Sequence, residues 1–172
     1  MRCRTLPNDE PAQLALFLLS TLGIAIPACQ SAKREGWVPD FSKALPFPQS
    51  GSVTVARGIT AGNHSSWLTV SAAGANALVE LYDTSGQRHI LTVYVGKDDR
   101  VRVPVPTGIY QVRLIEGQKW HGPRRLFGPT TAFETVKAPM SFSPRSVHMI
   151  DLHRRPNGNL PTRLMLTDPE SL

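Results

Sequence analysis

Cysteine is nearly missing from this chain: only Cys3 and Cys29 occur among 172 residues. That excludes a disulfide scaffold and a thiolate metal cluster. Five scattered histidines leave little material for another kind of metal site. Apolar runs are short too. The strongest, Leu14 to Ile26, has 13 residues and as a helix would cover about 20 Å of a hydrocarbon core about 30 Å thick. Beyond residue 50 no stretch repeats apolar residues at i, i+3, i+4 and i+7 over three turns, which argues against amphipathic helices. Catalytic signatures are missing as well: there is no G-x-S-x-G elbow, Walker A loop, G-x-G-x-x-G or H-E-x-x-H. The residues specify no cofactor and no metal, and they do not read as an enzyme.

What is present points to strands. Hydrophobic residues make up 41%, enough for a buried core, while 13 glycines and 15 prolines break helices. From Ser52 onward, short β-branched runs alternate with turn residues such as Asp83-Thr84-Ser85-Gly86, Gly96-Lys97-Asp98-Asp99, Pro106-Thr107-Gly108 and Pro156-Asn157-Gly158-Asn159. About ten strands spaced about 8–12 residues apart predict an all-β fold, a single β-sandwich over residues 51–168. Val101, Val103 and Val105 share one face of their strand, and Arg100 and Arg102 take the other. Pro104 lacks an amide donor and puts that strand at a sheet edge or bulge. Val147–His153 and Leu160–Leu166 flank Asn157-Gly158 and read as a closing hairpin.

The N-terminus reads as an address. Arg2 and Arg4 precede the Leu14–Ile26 run, whose length suits the apolar region of a secretory signal. Ile26-Pro27-Ala28-Cys29 then resembles a bacterial lipobox, with Pro27 departing from the usual small residue. That resemblance implies a signal peptide over 1–28, lipidation of Cys29, and a membrane anchor on the periplasmic side of the cell envelope. Ordinary cleavage to a soluble periplasmic or secreted protein is the alternative. Residues 29–50 mix charge with proline and read as a tether, with Trp37, Phe41 and Phe47 as docking points. The net charge of +6 belongs to the part after residue 28, since residues 1–28 hold two basic and two acidic side chains.

Val103-Pro104-Val105-Pro106-Thr107-Gly108-Ile109-Tyr110 resembles the V-P-x-G-x-Y signature of small prealbumin-like, Ig-like sandwich modules, among them the PEGA repeats and the regulatory domains of carboxypeptidases. Trp120-His121-Gly122-Pro123-Arg124-Arg125-Leu126-Phe127-Gly128-Pro129 is similar to a W-x-G-x-x-x-L-F-G-P stretch in bacterial envelope-anchored, lipoprotein-like proteins. These resemblances imply a fold and a location, and no activity.

Within the domain, the loop Trp120–Thr131 collects the candidate partner-binding residues. Arg124 and Arg125 suit a carboxylate or phosphate, with Trp120, His121 and Phe127 beside them as anchors. The competing reading makes Leu126 and Phe127 a plug of the sandwich. His148, Asp151 and His153 form H-x-x-D-x-H, but on a strand His148 faces away from the other two. Arg154-Arg155 reads as a solvated hairpin end, and Asn63-His64-Ser65 as a chance glycosylation triplet. The leading expectation is a non-catalytic, envelope-anchored sandwich that binds an envelope protein, as an accessory of a larger assembly. A basic module for nucleic acid is the alternative, although the cations are dispersed and not interleaved with stacking aromatics. A carbohydrate-binding module using Trp37, Trp67 or Trp120 is a further one.

Overall fold

The alternation of valine and leucine with polar residues builds ten strands. They are β1 (Val53–Val55), β2 (Ser66–Ser71), β3 (Asn76–Tyr82), β4 (His89–Val95), β5 (Arg100–Val105), β6 (Gly108–Gly117), β7 (Ala132–Val136), β8 (Met140–Phe142), β9 (Val147–Asp151) and β10 (Thr162–Met165). The computed structural model describes residues 29, 31–59, 65–154 and 160–165. The Leu14–Ile26 run with Arg2 and Arg4, residues Ile26 to Ala28 of the cysteine motif, Asn63 and His64, and the turn at Asn157-Gly158 with Arg155 lie outside the described residues. Among the described residues no helix is long and apolar enough to cross a membrane.

The strands form two sheets, an all-β sandwich. The larger runs β1-β4-β3-β6-β7-β10, with β8 also paired to β6, and the smaller runs β5-β2-β9. Inward residues of both sheets, including Leu68, Val70, Val79, Leu81, Val93, Val103, Val105, Val112, Leu114, Phe142 and Ile150, close one core. Pro104 does stand on an edge strand, because β5 ends the small sheet. The Pro106-Thr107-Gly108 turn carries the chain back to the large sheet. There the Tyr110 hydroxyl donates to the Thr107 carbonyl at 3.0 Å. Gly108 has φ 157°, and a Cβ there would meet the Tyr110 hydroxyl at 2.6 Å, so backbone and ring together exclude a side chain.

The expected closing hairpin does not form. β9 pairs parallel to β2 in the small sheet, with Val70 opposite Ile150, whereas β10 pairs antiparallel to β7 in the large one. The two strands belong to different sheets, so the chain between them crosses the sandwich instead of turning back on itself. Periodicity reports which residues form strands but not which neighbour a strand chooses.

A second core lies on the other face of the large sheet. Leu78, Ile115 and Phe133 alternate with inward residues, yet they are buried beneath Trp120, Leu126 and Phe127, with Phe47 and Tyr94 packed alongside. Phe127 reaches this position only because β6 ends in Gly117: a Cβ there would overlap the Cβ and ring of Phe127. Gly117→Ala should therefore destabilise the domain by about 1–3 kcal/mol through overpacking. Urea unfolding checks this, and an unchanged midpoint would mean that Phe127 has room to withdraw.

Candidate functional site

The Trp120–Thr131 loop folds on itself before it touches anything else. The amide of His121 donates to Leu126 O and that of Leu126 to Gly122 O, both at 2.7 Å. The Phe127 amide donates to Thr131 Oγ1, and the Thr130 and Thr131 hydroxyls donate to the carbonyls of Phe127 and Gly128. Leu126 holds a left-handed backbone at φ 49° with its side chain buried. Such a conformation costs about 1–2 kcal/mol and is set here by hydrogen bonds on both sides.

The loop's candidate residues divide accordingly. Phe127 is fully buried, and Trp120 and His121 are buried. The Trp120 and Phe127 rings meet at 5.4 Å, and each also packs on Phe47, at 5.5 and 6.0 Å. These side chains form a lid over the second core, and Trp120, His121 and Phe127 are buried away from any partner. Leu126 and Phe127 are buried, but on the outer face of the large sheet and not as a plug of the sandwich. Arg124 and Arg125 alone stay exposed.

Residues 31–50, read as a tether, lie along this lid as a strap. His121 Nε2 and Asp40 Oδ2 share a 2.6 Å hydrogen bond between side chains that are both buried, and His121 Nδ1 reaches Lys43 O at 3.1 Å. The Leu45 amide donates to Trp120 O at 2.7 Å and the Gly51 amide to Tyr94 O at 2.8 Å. Burial acts to raise the Asp40 carboxyl, but hydrogen bonds from His121 and the Ser42 amide outweigh it and hold it below its ordinary value. Of the three proposed docking aromatics Phe47 docks, while Trp37 and Phe41 remain in solvent.

The strongest electrostatic feature was invisible in the sequence. Glu116 of β6 and Glu134 of β7 occupy inward positions on neighbouring strands, each 3% exposed. Arg34 of the strap reaches Glu134 at 2.9 Å and Glu116 at 4.0 Å. Arg154, just beyond β9, reaches Glu116 at 2.6 Å and Glu134 at 2.8 Å. Arg154 is therefore an ion-pair partner and not the solvated hairpin end that its sequence suggests. Burial pushes the Glu116 carboxyl up, against the pull of Arg154 and Arg34. At Glu134 burial is overcome by hydrogen bonds from Arg154 and Thr162, which leave it lowered. A carboxylate pair flanked by two guanidiniums is already engaged: Glu116 Oε2 and both Glu134 oxygens face arginine donors.

Another polar group sits on the outer face of the large sheet. Thr92, Glu80 and Arg113 stand side by side across β4, β3 and β6. Arg113 covers the Tyr82 ring at 3.9 Å, and His89 Nε2 lies 2.8 Å from Thr92 Oγ1. Burial raises the Glu80 carboxyl, opposed by Arg113. These groups also satisfy one another. His148 bonds Ser146 at 2.9 Å and stacks on Phe142, apart from the Asp151–His153 contact of 2.6 Å. Among the described residues no three His, Cys, Asp or Glu side chains gather as metal ligands.

Among the described residues, no layer covers the outer face of the small sheet. In register across it, Pro104, Trp67 and Val147 form one row, and Arg102, Thr69 and Met149 the next. Val147 and Met149 are 60% and 59% exposed, and the Arg102 guanidinium caps the Trp67 ring at 4.7 Å. Alternating residues of β2 and β9 mark this face, but no sequence signal says whether another layer covers it. Comparison with protein-family models, curated proteins and solved structures finds no match.

Two measurements separate lid from surface and charge from packing. Arg124→Ala/Arg125→Ala should leave stability within about 0.5 kcal/mol, whereas Phe127→Ala should lose about 3–5 kcal/mol in urea unfolding. Equal losses would contradict the division. Arg34→Met should cost about 2–4 kcal/mol near neutral pH, because it leaves two buried carboxylates to share Arg154 as their one remaining guanidinium. Removing the cation raises their folded-state pKa, so protonation relieves the strain as pH falls. The deficit should be full at about pH 7.5 and shrink towards about pH 4.5. A deficit independent of pH would assign Arg34 a packing role.

Proposed function

We propose that this chain is a non-catalytic, envelope-anchored β-sandwich that binds a protein partner through the outer face of its small sheet. The observation that carries this reading is an asymmetry. The large sheet's outer face lies under the strap and the Trp120–Thr131 lid. The small sheet's outer face keeps Trp67, Val147 and Met149 in solvent beside Arg100 and Arg102. Aromatic, methionine and arginine side chains clustered without a covering layer are the composition of a protein-binding patch. The partner site therefore moves from the loop to the sheet, since Trp120, His121 and Phe127 are interior.

The address supports the same reading. Cys29 is exposed, and it follows an apolar run of signal length. The V-P-x-G-x-Y segment agrees with a prealbumin-like accessory module. Several of the chain's cations are engaged within the fold, with Arg34 and Arg154 on glutamates and Arg113 on Tyr82. That weakens the nucleic-acid alternative, and the burial of Trp120 removes one of the three tryptophans from a carbohydrate surface.

A photo-crosslinking amino acid in place of Met149, in cells of the source type, should yield one discrete adduct with an envelope protein. Val147→Glu should abolish it without moving the urea midpoint. The same probe in place of Thr84, on an exposed turn, should give none. No adduct at Met149, or an equal one at Thr84, counts against the patch. Cell fractionation of Cys29→Ala tests the address, and unchanged membrane association would remove lipidation from the proposal.

A further inference from the structure

The strap binds the lid through backbone groups and buried polar side chains, and this turns its larger apolar side chains outward. The Asp40 carboxylate faces His121, and Asp40 O accepts from Lys119 Nζ at 2.8 Å. Around these points Trp37 is 76% exposed, Phe41 97% and Leu45 50%. Exposure of that degree in three large apolar residues is not required by the fold, because Phe47 of the same segment packs against the second core.

The surroundings are cationic. Lys43 and Lys119 are exposed beside the strap. Leu45 Cδ1 lies 3.6 Å from where a Cβ on Gly122 would stand, and the exposed Pro123, Arg124 and Arg125 follow Gly122 in the chain. Glu35 is the one exposed carboxylate in the stretch 31–46, since Asp40 is turned inward. The chain also enters here: Trp37 stands eight residues after Cys29, and the Leu14–Ile26 run precedes it.

We infer that Trp37, Phe41 and Leu45, with Lys43 and Lys119 beside the strap and Arg124 and Arg125 on the loop after Gly122, form a face that lies against an anionic bilayer surface. The inference rests on the envelope-anchored reading and adds to it a second, protein-borne contact. Aromatic rings favour the headgroup region, and basic side chains are drawn to anionic lipid. An acyl group on Cys29 would bring both within reach, and a lipid chain held with a basic patch makes a firmer anchor than either alone. This role absorbs the two arginines that the lid leaves at the surface. It also sets the small-sheet patch apart as the site for a protein.

The test uses the full chain with Trp67→Phe, so that Trp37 and the buried Trp120 remain as fluorophores. Vesicles contain phosphatidylglycerol and phosphatidylethanolamine with bromine at shallow acyl positions. Bromine should remove about half or more of the emission assigned to Trp37, the assignment being made by difference from Trp37→Phe. Arg124→Gln/Arg125→Gln, or vesicles without phosphatidylglycerol, should reduce that quenching severalfold. A chain that binds vesicles while Trp37 stays unquenched and open to acrylamide overturns the face and leaves the anchor standing. Trp37 already shielded from acrylamide before lipid is added would mean that residues 1–28 cover it, and this also overturns the inference. A chain that does not associate with the vesicles overturns the face and the anchored reading together. Quenching that persists in Cys29→Ala supports the face independently of acylation.

Discussion

Two carboxylates buried side by side on the inner face of a sheet require cations, and the architecture follows that requirement. Glu116 and Glu134 sit on adjacent strands, each 3% exposed. Left alone, their mutual repulsion and desolvation would cost several kcal/mol. Neither guanidinium that answers them comes from a strand. Arg34 belongs to the strap, and Arg154 to the segment that leaves the small sheet for the large one. One cluster thus pins the start of the described chain and the crossing near its end. The three-stranded sheet is narrower than the seven-stranded one, and this corner of the large sheet is closed by arginines instead of strands.

Once Arg34 is held, the strap is committed to the path beside Gln118 and Lys119. Gln118 Nε2 donates to Arg34 O and Lys119 Nζ to Asp40 O. The His121–Asp40 pair and the Leu45–Trp120 backbone bond then bring Phe47 over the second core. The lid and the strap therefore stabilise each other, and a buried polar pair fixes their register where apolar packing alone would tolerate sliding. Among the described residues, the result is a sandwich with a third, irregular layer on one side and none on the other. Its two open surfaces differ in chemistry. The small-sheet patch is aromatic and aliphatic on paired strands, while the strap offers aromatic side chains beside Lys43 and Lys119. Under the anchored reading, one surface faces the membrane and the other faces the partner.

Strand alternation made most of the sheets legible from residues alone. The runs His89–Val95, Arg100–Val105, Ala132–Val136 and Met140–Phe142 stand in the structure as the pattern places them, because β-branched residues in period two have one way to bury a face. The strap had no such signal. Arg34, Asp40 and Phe47 share no period, and each acquires its role from a residue at least 73 positions away, Glu134, His121 or Trp120. Glu116 and Glu134 look like ordinary polar strand positions until their arginines are known. The candidate loop was half legible: its glycines and prolines announced an ordered structure, but its aromatics served the interior.

The amino-acid sequence by itself determined the all-β class, the inward faces of the central strands, an edge or a bulge at Pro104 and the scarcity of thiols, since these depend on local periodicity and residue type. Only the tertiary structure decided that β9 and β10 join different sheets, that the large sheet is covered on both faces, and that Arg34 and Arg154 meet two buried glutamates. Those outcomes depend on which distant surfaces meet. A side chain's charge, or its apolar area, says that it needs a partner, and only the folded chain says which one it finds.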